Sequence, residues 1–110
     1  MKDRAAYAKH GRRQRRDGHN DAAWVRLSKR ARALQPFCTV CGVTAEGAAA
    51  LGDRLETDHK PSAWAKREQG ERITLADVQV LCGTHNRALG SSRPGSARYA
   101  AWQQREQVAA

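Results

Sequence analysis

Apolar and polar positions along the chain fall into short patches with different periods. From Asp21 onward, Trp24, Leu27, Ala31 and Leu34 recur at spacings of three, four and three, which places them on one face of a helix. Asn20 or Asp21 can cap its start, and Pro36 disfavours helical geometry at Gln35, so the helix is expected to end near Leu34. Residues 43–54 are rich in Ala and Gly and read as a surface loop. Residues 54–61 read as a short strand stopped by Pro61, and Ser62 is placed to cap a brief helix over residues 63–69 that Gly70 ends. Trp64 in that helix is expected in the core. A second strand follows at residues 78–81, with Val78 and Val80 on the face that Cys82 continues. A short helix after Cys82 should end near Gly90. After a break at residues 91–95, residues 96–107 are expected to form a last helix that docks through Tyr99 and Trp102.

Composition narrows what such a set of elements can be. At 110 residues with 5% aromatic residues, the chain has room for one small domain with a thin core, and a covalent or metal staple is expected. No run approaches the roughly 20 apolar residues needed to span a bilayer, and the N-terminus lacks the apolar stretch of a secretory signal, so a cytoplasmic protein with no membrane partner is expected. In a reducing compartment three cysteines serve better as metal ligands than as a disulfide framework.

The net charge of +9 is unevenly distributed. Residues 1–20 hold seven Lys or Arg against two Asp, residues 21–34 hold four against one, and the remainder nine against eight. Residues 1–20 show no apolar period and are expected to be a disordered basic arm until a partner binds. Arg12, Arg13, Arg15 and Arg16 in the arm, and Arg26, Lys29 and Arg30 on the polar side of the first helix, are candidates for phosphate contacts on DNA. Such contacts give affinity with little sequence preference.

Two donor sets carry chemistry. Cys38-x-x-Cys41, followed by Gly42, has the spacing of a zinc knuckle, although a redox motif uses the same spacing. A second pair, Cys82-x-x-His85, completes a four-ligand set and favours structural zinc. Asp58-His59 and Asn86 offer harder donors, suited to magnesium or manganese.

Taken in order, Cys-x-x-Cys, Asp-His, then a strand entering Leu81-Cys82-x-x-His85-Asn86 with Gly90 beyond, the chain resembles the HNH endonuclease family over roughly residues 36–90. It looks most like the small zinc-containing members that phages encode beside their terminase. The resemblance implies an α+β fold, a small zinc-stapled ββα-metal (His-Me finger) domain with flanking helices. The boundaries that follow are a basic arm over 1–20, the nuclease domain over 21–90, and a linker with a C-terminal helix over 91–110. It implies a DNA endonuclease in which Asp58 and Asn86 hold a catalytic magnesium, manganese or similar ion and His59 is the general base. An imidazole of ordinary pKa near 6.5 is mostly neutral at about pH 7.5 and can take a proton. Lys60 and Arg87 would touch substrate phosphate, and terminase subunits would be partners in DNA packaging. A single ion and base should nick a duplex.

The pattern departs from the family at two places. His85 stands where a cysteine is commoner, and Asp77 stands where an asparagine usually helps to hold the base. Asp77 keeps the acceptor and loses the donor. The rival expectations are a zinc-stabilised nucleic-acid-binding module without catalysis and a structural packaging subunit.

Overall fold

A computed structural model describes residues 21–109. The chain divides after Arg30, within the first described helix, α1 (Ala22–Leu34). Asp21 caps that helix, its Oδ1 accepting from the Trp24 amide at 2.7 Å. Arg26, Lys29 and Arg30 are exposed on it, and Leu34 at the end of the apolar stripe is 65% exposed. Arg12, Arg13, Arg15 and Arg16, and the arm they belong to, lie outside the described residues.

From Ala31 onward the order is α2 (Ala45–Ala50), β1 (Leu55–His59), α3 (Pro61–Glu68), a 3-10 turn (Leu75–Asp77), β2 (Val78–Cys82), α4 (Gly83–Leu89) and α5 (Ala97–Ala109). This is a small α+β arrangement around a two-stranded antiparallel sheet. Leu55 pairs with Cys82, Glu56 with Leu81, Thr57 with Val80, Asp58 with Gln79 and His59 with Val78. Side chains directly opposite share a face, so Glu56, Asp58, Gln79 and Leu81 line one side and Leu55, Thr57, His59, Val78, Val80 and Cys82 the other. Among the described residues no helix is long and apolar enough to cross a membrane.

The expected loop over 43–54 contains a helix, α2. Thr44 starts it by accepting from the Gly47 amide at 3.1 Å, and Ala48 is its one buried residue. A helix that buries only an alanine has no apolar stripe to announce it. Helix α3 also begins earlier than expected. Lys60 is its N-cap and Pro61 takes the first helical position, where the missing amide proton costs nothing. Ser62 donates instead to Asp77 Oδ1 at 2.9 Å.

Two buried clusters hold the second unit. At one end of the sheet Cys38, Leu81 and Cys82 pack with Val43 and Leu55. At the other, Trp64 is buried with its ring 4.5 Å from that of His59, and its Nε1 donates to Ser92 Oγ at 2.8 Å. Tyr99 of α5 is buried and Trp102 is half-buried, their rings 5.3 Å apart.

Candidate functional site

The soft donors come from two turns. In the first, Cys38 N donates to Val43 O and Gly42 N to Cys38 O, each at 2.9 Å, and Gly42 adopts φ +76° to close the knuckle. A left-handed backbone of this kind is open to glycine without steric penalty. Thr39 fastens the knuckle to β2, both its amide (2.8 Å) and its hydroxyl (2.9 Å) donating to Val80 O. The second turn is the β2–α4 junction, where Cys82 is the N-cap of α4 and His85 lies in the first turn of that helix.

Together they bring the Cys38, Cys41 and Cys82 sulfurs and a ring nitrogen of His85 within 4.8 Å of one another. Cys82 Sγ is 3.1 Å from His85 Nδ1, Cys38 Sγ is 3.9 Å from it, and Cys41 Sγ is 4.0 Å from Cys82 Sγ. Zinc–sulfur bonds of about 2.3 Å in a tetrahedron separate sulfurs by about 3.8 Å, so the group could hold an ion such as zinc with little movement.

The electrostatics point the same way. Burial opposes ionisation of Cys38, but hydrogen bonds from the backbone at Cys41, Cys82 and Val40 outweigh it and draw the thiol down to about 6. At Cys82 the His85 amide favours the thiolate, yet burial and the Cys38 and Cys41 sulfurs together push the thiol up. One thiolate forms easily here and further ones are resisted. A divalent cation at the centre removes that resistance.

The start of α4 is already capped. Asp53 Oδ2 accepts from both the amide and the hydroxyl of Thr84 at 3.0 Å, while Oδ1 accepts from Arg54 N at 2.8 Å. The Arg54 and Thr84 amides hold the Asp53 carboxyl below its ordinary value. A Cβ at Gly83 would collide with Asp53 Oδ1, so glycine there is required by the cap.

The harder donors lie on β1, β2 and α4. Asp58 is buried, and Arg98 from α5 donates from Nη2 to Oδ2 at 2.9 Å and from Nη1 to Oδ1 at 3.3 Å. Gln79, opposite Asp58 in the sheet, donates to Oδ2 at 3.0 Å. Asn86 donates from Nδ2 to Glu56 Oε1 at 3.0 Å, and its carboxamide oxygen accepts no hydrogen bond among the described residues. Glu56 and Asp58 share a sheet face, so Asn86 is brought to the strand that carries Asp58. His59 is on the other face, against Trp64. Asp58 and His59 are thus adjacent in sequence and opposed across the sheet.

Asp77 is buried and its carboxylate is fully committed. Oδ1 accepts from Ser62 Oγ at 2.9 Å, and Oδ2 from Lys66 Nζ (2.8 Å), Thr74 N (2.8 Å) and Thr74 Oγ1 (3.1 Å). Burial works against the anion, but Lys66, Thr74 and Ser62 together hold the carboxyl below its ordinary value. Asp77 therefore fastens α3 to the turn before β2, and none of its hydrogen bonds goes to His59. Lys60 Nζ donates to Ala76 O at 3.3 Å, and Arg87 is exposed on α4.

Arg98 and Glu56 escaped the sequence reading. An arginine in a polar C-terminal helix carries no mark of a partner 40 positions earlier. Glu56 could have been found, since it stands two residues before Asp58 on a strand and so shares its face. Comparison with the models of known families, with curated proteins and with solved structures finds no match for this chain.

Proposed function

We propose that the protein is a metal-dependent DNA endonuclease of the HNH type, which hydrolyses phosphodiester bonds and nicks a duplex one strand at a time. The observation that carries this reading is the shared framework of the two donor sets. The four-donor group grips Cys82 and His85 at the β2–α4 junction, and the next residue, Asn86, turns toward β1 with its carboxamide oxygen still available.

Carboxylate and carboxamide oxygens fit a hard divalent ion, and Asp58 and Asn86 would hold it. When bound, such an ion polarises a phosphate oxygen and steadies the negative charge on the departing sugar oxygen. Arg98 must yield part of its grip on Asp58 for that purpose. Gln79 can keep the carboxylate oriented meanwhile. His59 would accept the proton of the attacking water, its ring held by stacking on Trp64. Because β1 carries Asp58 and His59 on opposite faces, the reading requires the substrate to reach the strand end, where Pro61 closes β1. Terminase subunits as partners follow from the family resemblance alone.

One observation favours a second reading. Asp58 already has a cation, the Arg98 guanidinium, and a permanent pair would make the protein a zinc-stabilised DNA-binding module without catalysis. The deciding experiment is conversion of supercoiled plasmid to open circle by the zinc-loaded protein with magnesium, manganese or another divalent ion. His59→Ala is expected to lose at least a hundredfold in rate, the lower range for removing a general base. Wild type that never outpaces this variant under any ion or pH establishes the binding module instead.

A further inference from the structure

One face of α5 was assigned no role by the family resemblance. Arg98, Ala101, Trp102 and Arg105 recur at three, four and seven positions along α5, which puts them on one face. That face forms a wall of a cleft of about 400 Å³, closed on the other sides by Lys60, the first residues of α3, Gln79 and Leu89. Three of its lining residues are cationic and none is acidic. Arg98 and Gln79 both line the cleft and both bond Asp58, so the cleft opens beside that carboxylate.

We propose that this cleft seats the sugar–phosphate backbone of a DNA strand, with Lys60 and Arg105 on phosphates and Trp102 against sugar or base. The inference rests on the reading of the protein as DNA-binding and not on cleavage. Two features favour nucleic acid over an acidic protein segment. The cations come with the half-buried indole of Trp102, and base or sugar contact with an aromatic adds sequence-tolerant affinity. The cleft is also lined by apolar surface from Leu89 and Ala101, which suits the sugar edge.

The test is fluorescence anisotropy of a labelled 20-base-pair duplex with the zinc-loaded full chain and no other divalent ion. Arg105→Glu is compared with Arg72→Glu, an exposed arginine outside the cleft, so that both variants change net charge equally. Circular dichroism and one bound zinc per chain establish that each is folded. Arg105→Glu should weaken binding at least tenfold and Arg72→Glu no more than twofold, and Arg105→Ala should lower the salt slope by about one. Equal weakening by both charge reversals, or a wild type that does not bind the duplex, overturns the proposal. Polyglutamate that displaces DNA at matched charge also overturns it, in favour of an acidic protein partner. Because no cleaving ion is present, an inactive plasmid assay leaves this result standing. Conversely, a nicking wild type whose Arg105→Glu variant binds normally sinks the cleft alone.

Discussion

The two donor sets share β1, β2 and α4 but differ in what their atoms already touch. The sulfurs of Cys38, Cys41 and Cys82 and a ring nitrogen of His85 converge on one another. Asp58 and Asn86 meet other side chains, Arg98 with Gln79 and Glu56 respectively. Mutually opposed thiols favour a cation placed among them, whereas an ion at the proposed oxygen site would have to exchange the partners that Asp58 and Asn86 already hold. The first is therefore expected to serve folding. The second, if it takes the proposed ion, is suited to reversible binding.

The sharpest way to break that contrast is to remove the metal. Chelation, or Cys82→Ser, is expected to abolish the cooperative fold, because structural zinc contributes about 10 to 16 kcal/mol in small peptides, more than a domain of this size can spare. Circular dichroism with metal analysis by atomic absorption checks it. A folded, zinc-free protein would show that the cluster is ornamental.

Next in size is Asp77→Ala, expected to cost about 2 to 3 kcal/mol in chemical denaturation, since it removes the buried acceptor shared by half-buried Lys66 and Ser62 and by two donors of Thr74. The sign of its pH dependence follows from the lowered carboxyl. The contribution is complete above the ordinary carboxylate value of about 3.9 and is lost as pH falls through the lower folded value. The stability difference between wild type and Asp77→Asn should be flat from about pH 7 to 5 and shrink below about 4.

Arg98→Ala should cost about 2 kcal/mol by leaving the Asp58 carboxylate buried without its cation. This variant sharpens the contrast most. If Asp58 is an exchangeable ligand, millimolar manganese restores thermal stability in Arg98→Ala more than it raises that of wild type. Equal shifts would tie Asp58 to a structural ion pair only. Asn86→Ala, which loses one part-buried bond to Glu56, should cost about 1 kcal/mol by the same thermal measurement.

What could be read from the chain follows the range of the forces involved. The Cys-x-x-Cys and Cys-x-x-His spacings encode local turns, so the cluster, β2 and α4 were legible. So was Trp64 in the core. Helix α2 was not, because its stability comes from the Thr44 cap and a single buried alanine. Ser62 looked like a cap because capping is judged locally, but its hydroxyl is drawn to Asp77, 15 positions on. The Arg98–Asp58 pair, which decides how Asp58 is held, depends on how α5 lies against the sheet. No local pattern contains that.

The antiparallel pair has a consequence for how the chain reaches its fold. Residues 60–77 separate β1 from β2, so the strands cannot zip from a tight hairpin turn, and closing so long a loop precedes any reward from pairing. Two strands alone are also too few to persist in water. The cheapest nucleus would then be the knuckle with the β2–α4 junction, joined through the ion that their four donors could hold. Refolding should accelerate with free zinc until the ion saturates, making the speed of folding, and not only its end point, a function of metal supply.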